Sequence, residues 1–275
     1  MKYDLLTFIF VGLFITISTH SFAELRLEST PIQSGLLRGH IDQEEKVIYA
    51  GRQLTTTPDG TFIVGFGRDV EPQQPLIWID SDGIRHSYKL SLKQRKYDIQ
   101  KIDGISKRMM NPSEEDLRRI GQEAQQVAKA RKTDSPLLNF QETFIWPVIG
   151  RISGIYGSQR ILNGEPRRPH FGIDIAAPEG TPVKAPAGGV VSMAHEEMFF
   201  SGGTLIIDHG YGLSSSFLHL HKILVKVGDQ VVQGEAIATV GATGRVTGPH
   251  LDWRINWFDQ RLDPAFFVPP MAQEP

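Results

Sequence analysis

The chain contains no cysteine. That excludes a disulfide framework, a thiolate zinc site, a thiol nucleophile and a lipidated N-terminal cysteine, so any metal must be held by histidine and carboxylate. An excess of positive charge is also missing. Against 29 Lys and Arg stand 31 Asp and Glu, which gives no electrostatic case for nucleic acid or an anionic lipid surface as partner. The N-terminal apolar run from Leu5 to Ile17 has 13 residues, short of the roughly 20 that span a bilayer. Lys2 precedes it and Ser21-Phe22-Ala23 follows, the pattern of a cleavable signal peptide. The expectation is a signal peptide over residues 1–23, cleavage after Ala23, no stable membrane anchor afterwards, and a periplasmic or secreted mature chain.

A length of 275 residues leaves room for about two domains. Residues 24–103 read as short strands: Val47 to Tyr49, Thr61 to Phe66, Leu76 to Ile79 and Ile84 to Leu92 are rich in β-branched and aromatic residues. Pro58-Asp59-Gly60 and Asp82-Gly83 mark turns. This predicts a small all-β, sandwich-like accessory module. Residues 104–143 read as a helical connector and linker. Within them Leu117, Ile120, Ala124 and Val127 step at helical spacing after Pro112 and Ser113, a narrow apolar stripe that should pack on a neighbour. His40 and His86 stand alone in strand-like surroundings and read as structural.

Residues 144–270 hold six of the nine histidines, many glycines and short strand signals, which predicts an antiparallel β domain. Three clusters carry possible chemistry. In Pro169-His170-Phe171-Gly172-Ile173-Asp174 the period of two puts His170 and Asp174 on one face of a strand. Phe217-Leu218-His219-Leu220-His221 alternates likewise, and in Pro249-His250-Leu251-Asp252-Trp253 the pair His250 and Asp252 shares a face. Zinc accepts a mixture of imidazole and carboxylate donors, with an open position for water when a site is catalytic.

These clusters do not stand alone. Together with Ser153 to Arg160, Ala185-Pro186, Gly189-Val190-Val191, Ile207 to Gly212, Val227-Gly228-Asp229, Gly241 to Gly244 and Asp263-Pro264, they follow in an order that resembles the lysostaphin/LytM-type zinc endopeptidases of bacterial cell walls. The resemblance covers about 115 residues. It implies an antiparallel β domain with a groove, a zinc held by His170 and Asp174, catalytic histidines His219 and His250, and peptidoglycan cross-links as substrate, cut without a covalent intermediate. Asp252 stands where that family usually has a third zinc ligand of the His type, and three readings stay open. Asp252 binds the metal; or zinc is lost and the domain is a pseudo-enzyme, a scaffold or activator of another cell-wall hydrolase; or His221 supplies the donor. If Asp252 is a ligand, two carboxylates cancel the zinc charge, which predicts a higher working pH than a site with two imidazoles.

In the active reading His250 is the candidate general base and His219 its partner or a charge stabiliser. His195 and His209 read as structural. Two rival classes fail on residues. A biotinyl or lipoyl carrier needs a hairpin lysine, and none lies between Lys184 and Lys222. A serine hydrolase drawn from Ser214 to Ser216 lacks the nucleophile elbow.

Overall fold

Turn chemistry and β-branched runs break the first part of the chain into eight strands: β1 (Arg26–Leu27), β2 (Leu36–His40), β3 (Lys46–Tyr49), β4 (Arg52–Gln53), β5 (Thr61–Gly65), β6 (Gln73–Ile79), β7 (Arg85–Ser91) and β8 (Ile99–Ile102). The computed structural model describes residues 25–42, 44–102, 113–162 and 164–271, so the expected signal peptide lies outside the described residues. Among those described, no helix is long and apolar enough to cross a membrane. Strands β1-β2-β5 form one sheet and β4-β3-β6-β7 a second. β6 starts three residues earlier than its apolar run because Pro75 is tolerated there. It pairs with Lys89 of β7, while pairing with β3 begins only at Leu76, so no partner needs the missing N–H.

The helix α1 (Glu114–Arg131) is capped by Ser113, whose hydroxyl accepts from the Asp116 backbone while the Asp116 side chain accepts from the cap backbone. Its apolar stripe packs less than the spacing predicts. Leu117 is 55% exposed and Ala124 is exposed, and only Val127 and Ala130, near the C-terminal end, join Met193, Met198 and Ile206 in an apolar cluster. The earlier turns are held by polar contacts instead: Arg119 donates to the Glu197 carbonyl and Glu123 accepts from the Phe199 backbone.

The second part of the chain supplies β9 (Arg151–Gly154), β10 (Gln159–Leu162), β11 (Glu165–Pro166), β12 (Ile173–Ala176), β13 (Pro182–Lys184), β14 (Gly189–Met198), β15 (Gly202–Gly210), β16 (Leu213–Ile223), β17 (Gln230–Val231), β18 (Ala236–Val240), β19 (His250–Trp257) and β20 (Gln260–Leu262). Ten of these form an antiparallel sheet with the path β17-β14-β15-β16-β19-β12-β9; β18 pairs with β16 and β13, and β20 with β19. The protein is mainly β, as the sequence predicts. In β19 the residues Leu251, Trp253 and Ile255 are fully buried on one face, and His250, Asp252 and Arg254 alternate onto the other.

The two parts are joined by more than a linker. β5 is buried along its whole length, and a Cβ on Gly65 would lie 2.5 Å from Cβ of Trp257. β8 pairs in parallel with β10, from the other part of the chain. One continuous apolar core runs from Leu37 to Leu262.

His209 of β15 is an example of a histidine used for packing. It is fully buried, edge-on to Phe144, with Nδ1 2.7 Å from the Gly188 carbonyl and Nε2 2.8 Å from the Ser215 hydroxyl. Burial pushes its pKa down to about 4, against the weaker opposing effect of the Gly188 carbonyl. The unfolded chain, with an ordinary histidine pKa near 6.5, therefore binds more protons between those values. Stability is expected to be unaffected above that window and to fall by on the order of 3 kcal/mol as the pH drops through it. Urea unfolding of the protein and of His209→Gln at pH 7, 6 and 5 checks this: the variant should lose less stability than the parent on acidification.

Candidate metal centre

Neighbouring strands build the site. Asp174 of β12 and Asp252 of β19 are directly opposite one another in the antiparallel pair, on the same face. Two carboxylates so placed repel unless a cation lies with them. His170 enters from the segment just before β12. One donor atom from each of His170, Asp174 and Asp252 lies within 4.8 Å of the others, so the structure brings together the three residues expected to bind metal. His170 Nε2 and Asp174 Oδ1 approach to 3.2 Å, yet both atoms are closed off from solvent without a hydrogen-bond partner. Two ligands of a tetrahedral zinc, each at roughly 2.0–2.1 Å, would stand about that far apart. Orphaned donors and paired carboxylates fit a cation of zinc's class.

Two glycines make the space. A Cβ on Gly154 would fall 2.3 Å from Asp174 Oδ2, and one on Gly172 2.3 Å from Asp252 Oδ1. Neither requirement is visible in the sequence, because both arise from cross-strand neighbours.

Arg254 is a further member of the site that sequence reasoning misses. Its Nε donates to Asp252 Oδ1 at 2.9 Å and to Oδ2 at 3.1 Å, and its Nη2 donates to Oδ2 at 2.5 Å. Burial would raise the Asp252 pKa, but the charge and hydrogen bonds of Arg254, aided by His170 and His219, hold it well below the usual carboxylate range. Asp252 is thus ionised, and Oδ1, which accepts one of these bonds where Oδ2 accepts two, keeps lone-pair capacity for a metal. A signal for Arg254 does exist, since it continues the period-two series from His250 and Asp252.

His219 and His250 flank the triad, their ring centroids 5.0 Å apart. His219 Nδ1 lies 2.9 Å from the Thr243 carbonyl, and His250 Nδ1 lies 2.8 Å from the Gly248 carbonyl. A carbonyl only accepts, so each ring donates from Nδ1 and leaves Nε2 with its lone pair in the neutral form. Nε2 of His250 is 3.9 Å from Asp174 Oδ1. Burial lowers the His219 pKa, although Asp252 and the Thr243 carbonyl oppose it. His219 has φ of 64°, a left-handed conformation rare for a non-glycine residue, at the irregularity where β16 pairs with β15 between Phe217 and Leu220. The Thr243 hydroxyl donates to the Leu220 carbonyl and accepts from the Gly203 backbone, which ties down the loop supplying that carbonyl.

The other histidines lie elsewhere. His221 is exposed and pairs with Glu179 at 2.8 Å, outside the triad. His195 accepts from the Glu197 backbone, and His86 stacks on Trp78 beside Asp80. Ser215 bonds His209, and both are fully buried, so that Ser–His contact has no access to substrate.

The N-terminal strands reach this centre through the backbone of His170. Its N–H donates to the Ser158 carbonyl, and its carbonyl accepts from the Gly157 N–H, both at 2.8 Å. Arg68 holds that same turn, Nε donating to the Gly157 carbonyl at 3.0 Å while its guanidinium lies 4.3 Å from the ring centroid of Tyr97. Arg68→Ala is therefore expected to weaken zinc binding on the order of 10-fold, as removal of an outer support does. Competition with a chelator measures it; unchanged affinity in a folded variant would sink the bracing role.

Residues 168–264 match the model of peptidase family M23. A solved structure described as a putative peptidase M23 from Pseudomonas aeruginosa is 33% identical, with TM-score 0.69, covering 87% of this chain and 96% of the other. The peptidoglycan DD-endopeptidases ShyA and ShyC of Vibrio cholerae are 43% identical over 102 residues and 38% over 135, or 34% and 49% of this chain. The matches span only 24% and 28% of those two relatives. The similarity to the Pseudomonas structure runs through both parts of the chain and nearly the whole of its counterpart, and on that ground the protein belongs to peptidase family M23.

Proposed function

We propose that the protein is a zinc-dependent endopeptidase that hydrolyses peptide cross-links of bacterial peptidoglycan. The observation that carries this reading is the convergence of His170, Asp174 and Asp252 beside two histidines whose Nε2 atoms are left without backbone partners. His170, Asp174 and Asp252 would hold the metal. When bound, zinc supplies a Lewis acid for the scissile carbonyl and a water acidic enough to react near neutral pH. His250 takes the proton from the attacking water at Nε2 and carries it toward the leaving amine. His219, fixed at the other side, stabilises the charge that develops on the carbonyl oxygen. Residues 144–270 form the peptidase domain in this reading, and residues 24–103 act as an accessory module that braces the turn beneath His170. Export by the signal over residues 1–23 puts the enzyme in the periplasm or outside the cell, where its substrate is. The DD-endopeptidase names of the Vibrio relatives support a cross-link as the target.

Elemental analysis of the mature protein, run beside muropeptide release from purified sacculi, tests the reading. About one zinc per chain and release that a chelator abolishes are expected. Zinc-free protein that releases nothing even with added zinc would overturn it and leave the pseudo-enzyme role, as scaffold or activator of another cell-wall hydrolase.

A further inference from the structure

Beyond the triad the same sheet face becomes cationic. Arg254 follows Asp252 on β19, and its cross-strand partner on β16 is Ser216. The Ser216 hydroxyl accepts from Nη2 of Arg131, the last residue of α1, at 3.0 Å. Arg131 is only 9% exposed, and its Nε is buried without a hydrogen-bond partner. One step further along β19, Asn256 pairs with Arg261 of β20. Arg261 and Arg168 each place a guanidinium 5.6 Å from the centroid of the Phe171 ring, next to His170.

Four guanidinium groups thus gather beside the candidate metal, and Asp252 is engaged by Arg254 alone. Among the described residues none of Arg131, Arg168 and Arg261 has a carboxylate within ion-pair distance. Burial, with repulsion from Arg254 and Arg168, pushes the Arg261 pKa down to about 10. Buried guanidinium without a counter-charge is costly, and a cluster of it more so.

We propose that Arg168 and Arg261, with Arg131 behind them, form a subsite for a free carboxylate on the peptide substrate, adjacent to the scissile bond. The planar forks suit two-pronged recognition of a carboxylate, and Arg168 is exposed, so the ligand can reach it. The identity of the peptide rests on the peptidase reading; the recognition of its carboxylate is independent of it.

Two arms separate these. In the first, the purified full chain is titrated with acetyl-Ala-Ala and with its C-terminal amide, following arginine Nε–H resonances. The acid should bind at least 10-fold tighter than the amide, and Arg168→Gln and Arg261→Gln should abolish that preference without lowering the thermal midpoint, since each relieves repulsion within the cluster. Equal binding of both peptides, a preference that survives in both variants, or sulfate binding as tightly as the acid would overturn the subsite. Coordination of the acid by zinc alone would be insensitive to these variants. In the second arm, muropeptides with free and with amidated carboxylates are compared as substrates. Amidation should raise KM 10-fold or more with kcat retained. Acid-selective binding without muropeptide cleavage keeps the subsite and removes the peptidoglycan reading; equal KM for both forms keeps the peptidase and removes the subsite.

Discussion

His219→Ala and His250→Ala are each expected to lower muropeptide release on the order of 10²-fold or more while zinc content stays that of the parent. The expectation comes from how the two rings are held. Each donates from Nδ1 to a main-chain carbonyl, Thr243 for His219 and Gly248 for His250, which fixes both tautomer and ring direction. Neither is among the three residues whose donors converge for a metal, so their loss should act on the transition state and leave coordination alone. Because the two rings lie 5.0 Å apart around one reaction centre, the double variant should fall well short of the product of the single effects. Initial rates on sacculi, with metal analysis of each variant, decide it. Parent-like rates in both single variants would remove these histidines from the mechanism; loss of zinc in either would make that residue a ligand.

How far these arrangements are legible in the sequence depends on distance along the chain. The period of two in β19 separates Leu251 and Trp253 from His250 and Asp252 without any structure. The stripe of α1 and its Ser113 cap are equally local. What the stripe packs on is not, and Leu117 proves exposed because the helix meets its apolar cluster only near its C-terminal end. The parallel pairing of β8 with β10 joins residues about sixty positions apart, which no local pattern encodes. The need for Gly154 and Gly172 arises only once Asp174 and Asp252 lie across from them. Arg254 is the instructive omission. A charged residue two places beyond a candidate ligand reads as solvent-facing, but the same face that carries Asp252 inward carries its guanidinium to the carboxylate.

That omission reverses the expectation for Asp252. Zinc with one imidazole and two carboxylates is neutral, but the Arg254 guanidinium returns one positive charge, the balance that two imidazoles and one carboxylate would leave. The predicted need for a higher working pH therefore no longer follows. Asp252→Ala is expected to lose zinc and to destabilise the fold by about 3 kcal/mol, the lower end of the range for stripping the partner from a buried ion pair, since the Arg254 side chain is 22% exposed. Asp252→His on its own should also bind zinc less tightly than the parent, despite offering a good ligand, because it leaves Arg254 unpaired next to the metal. Combining Asp252→His with Arg254→Gln removes that excess charge and should recover the affinity. Chelator competition on the parent, both single variants and the pair gives the coupling directly, and urea unfolding of the same set separates it from loss of fold. If Asp252→His alone binds zinc as tightly as the combination does, Arg254 is no counter-charge to the site. If folded Asp252→Ala keeps parent affinity, Asp252 is no ligand, and the metal rests on His170 and Asp174 with water completing the shell.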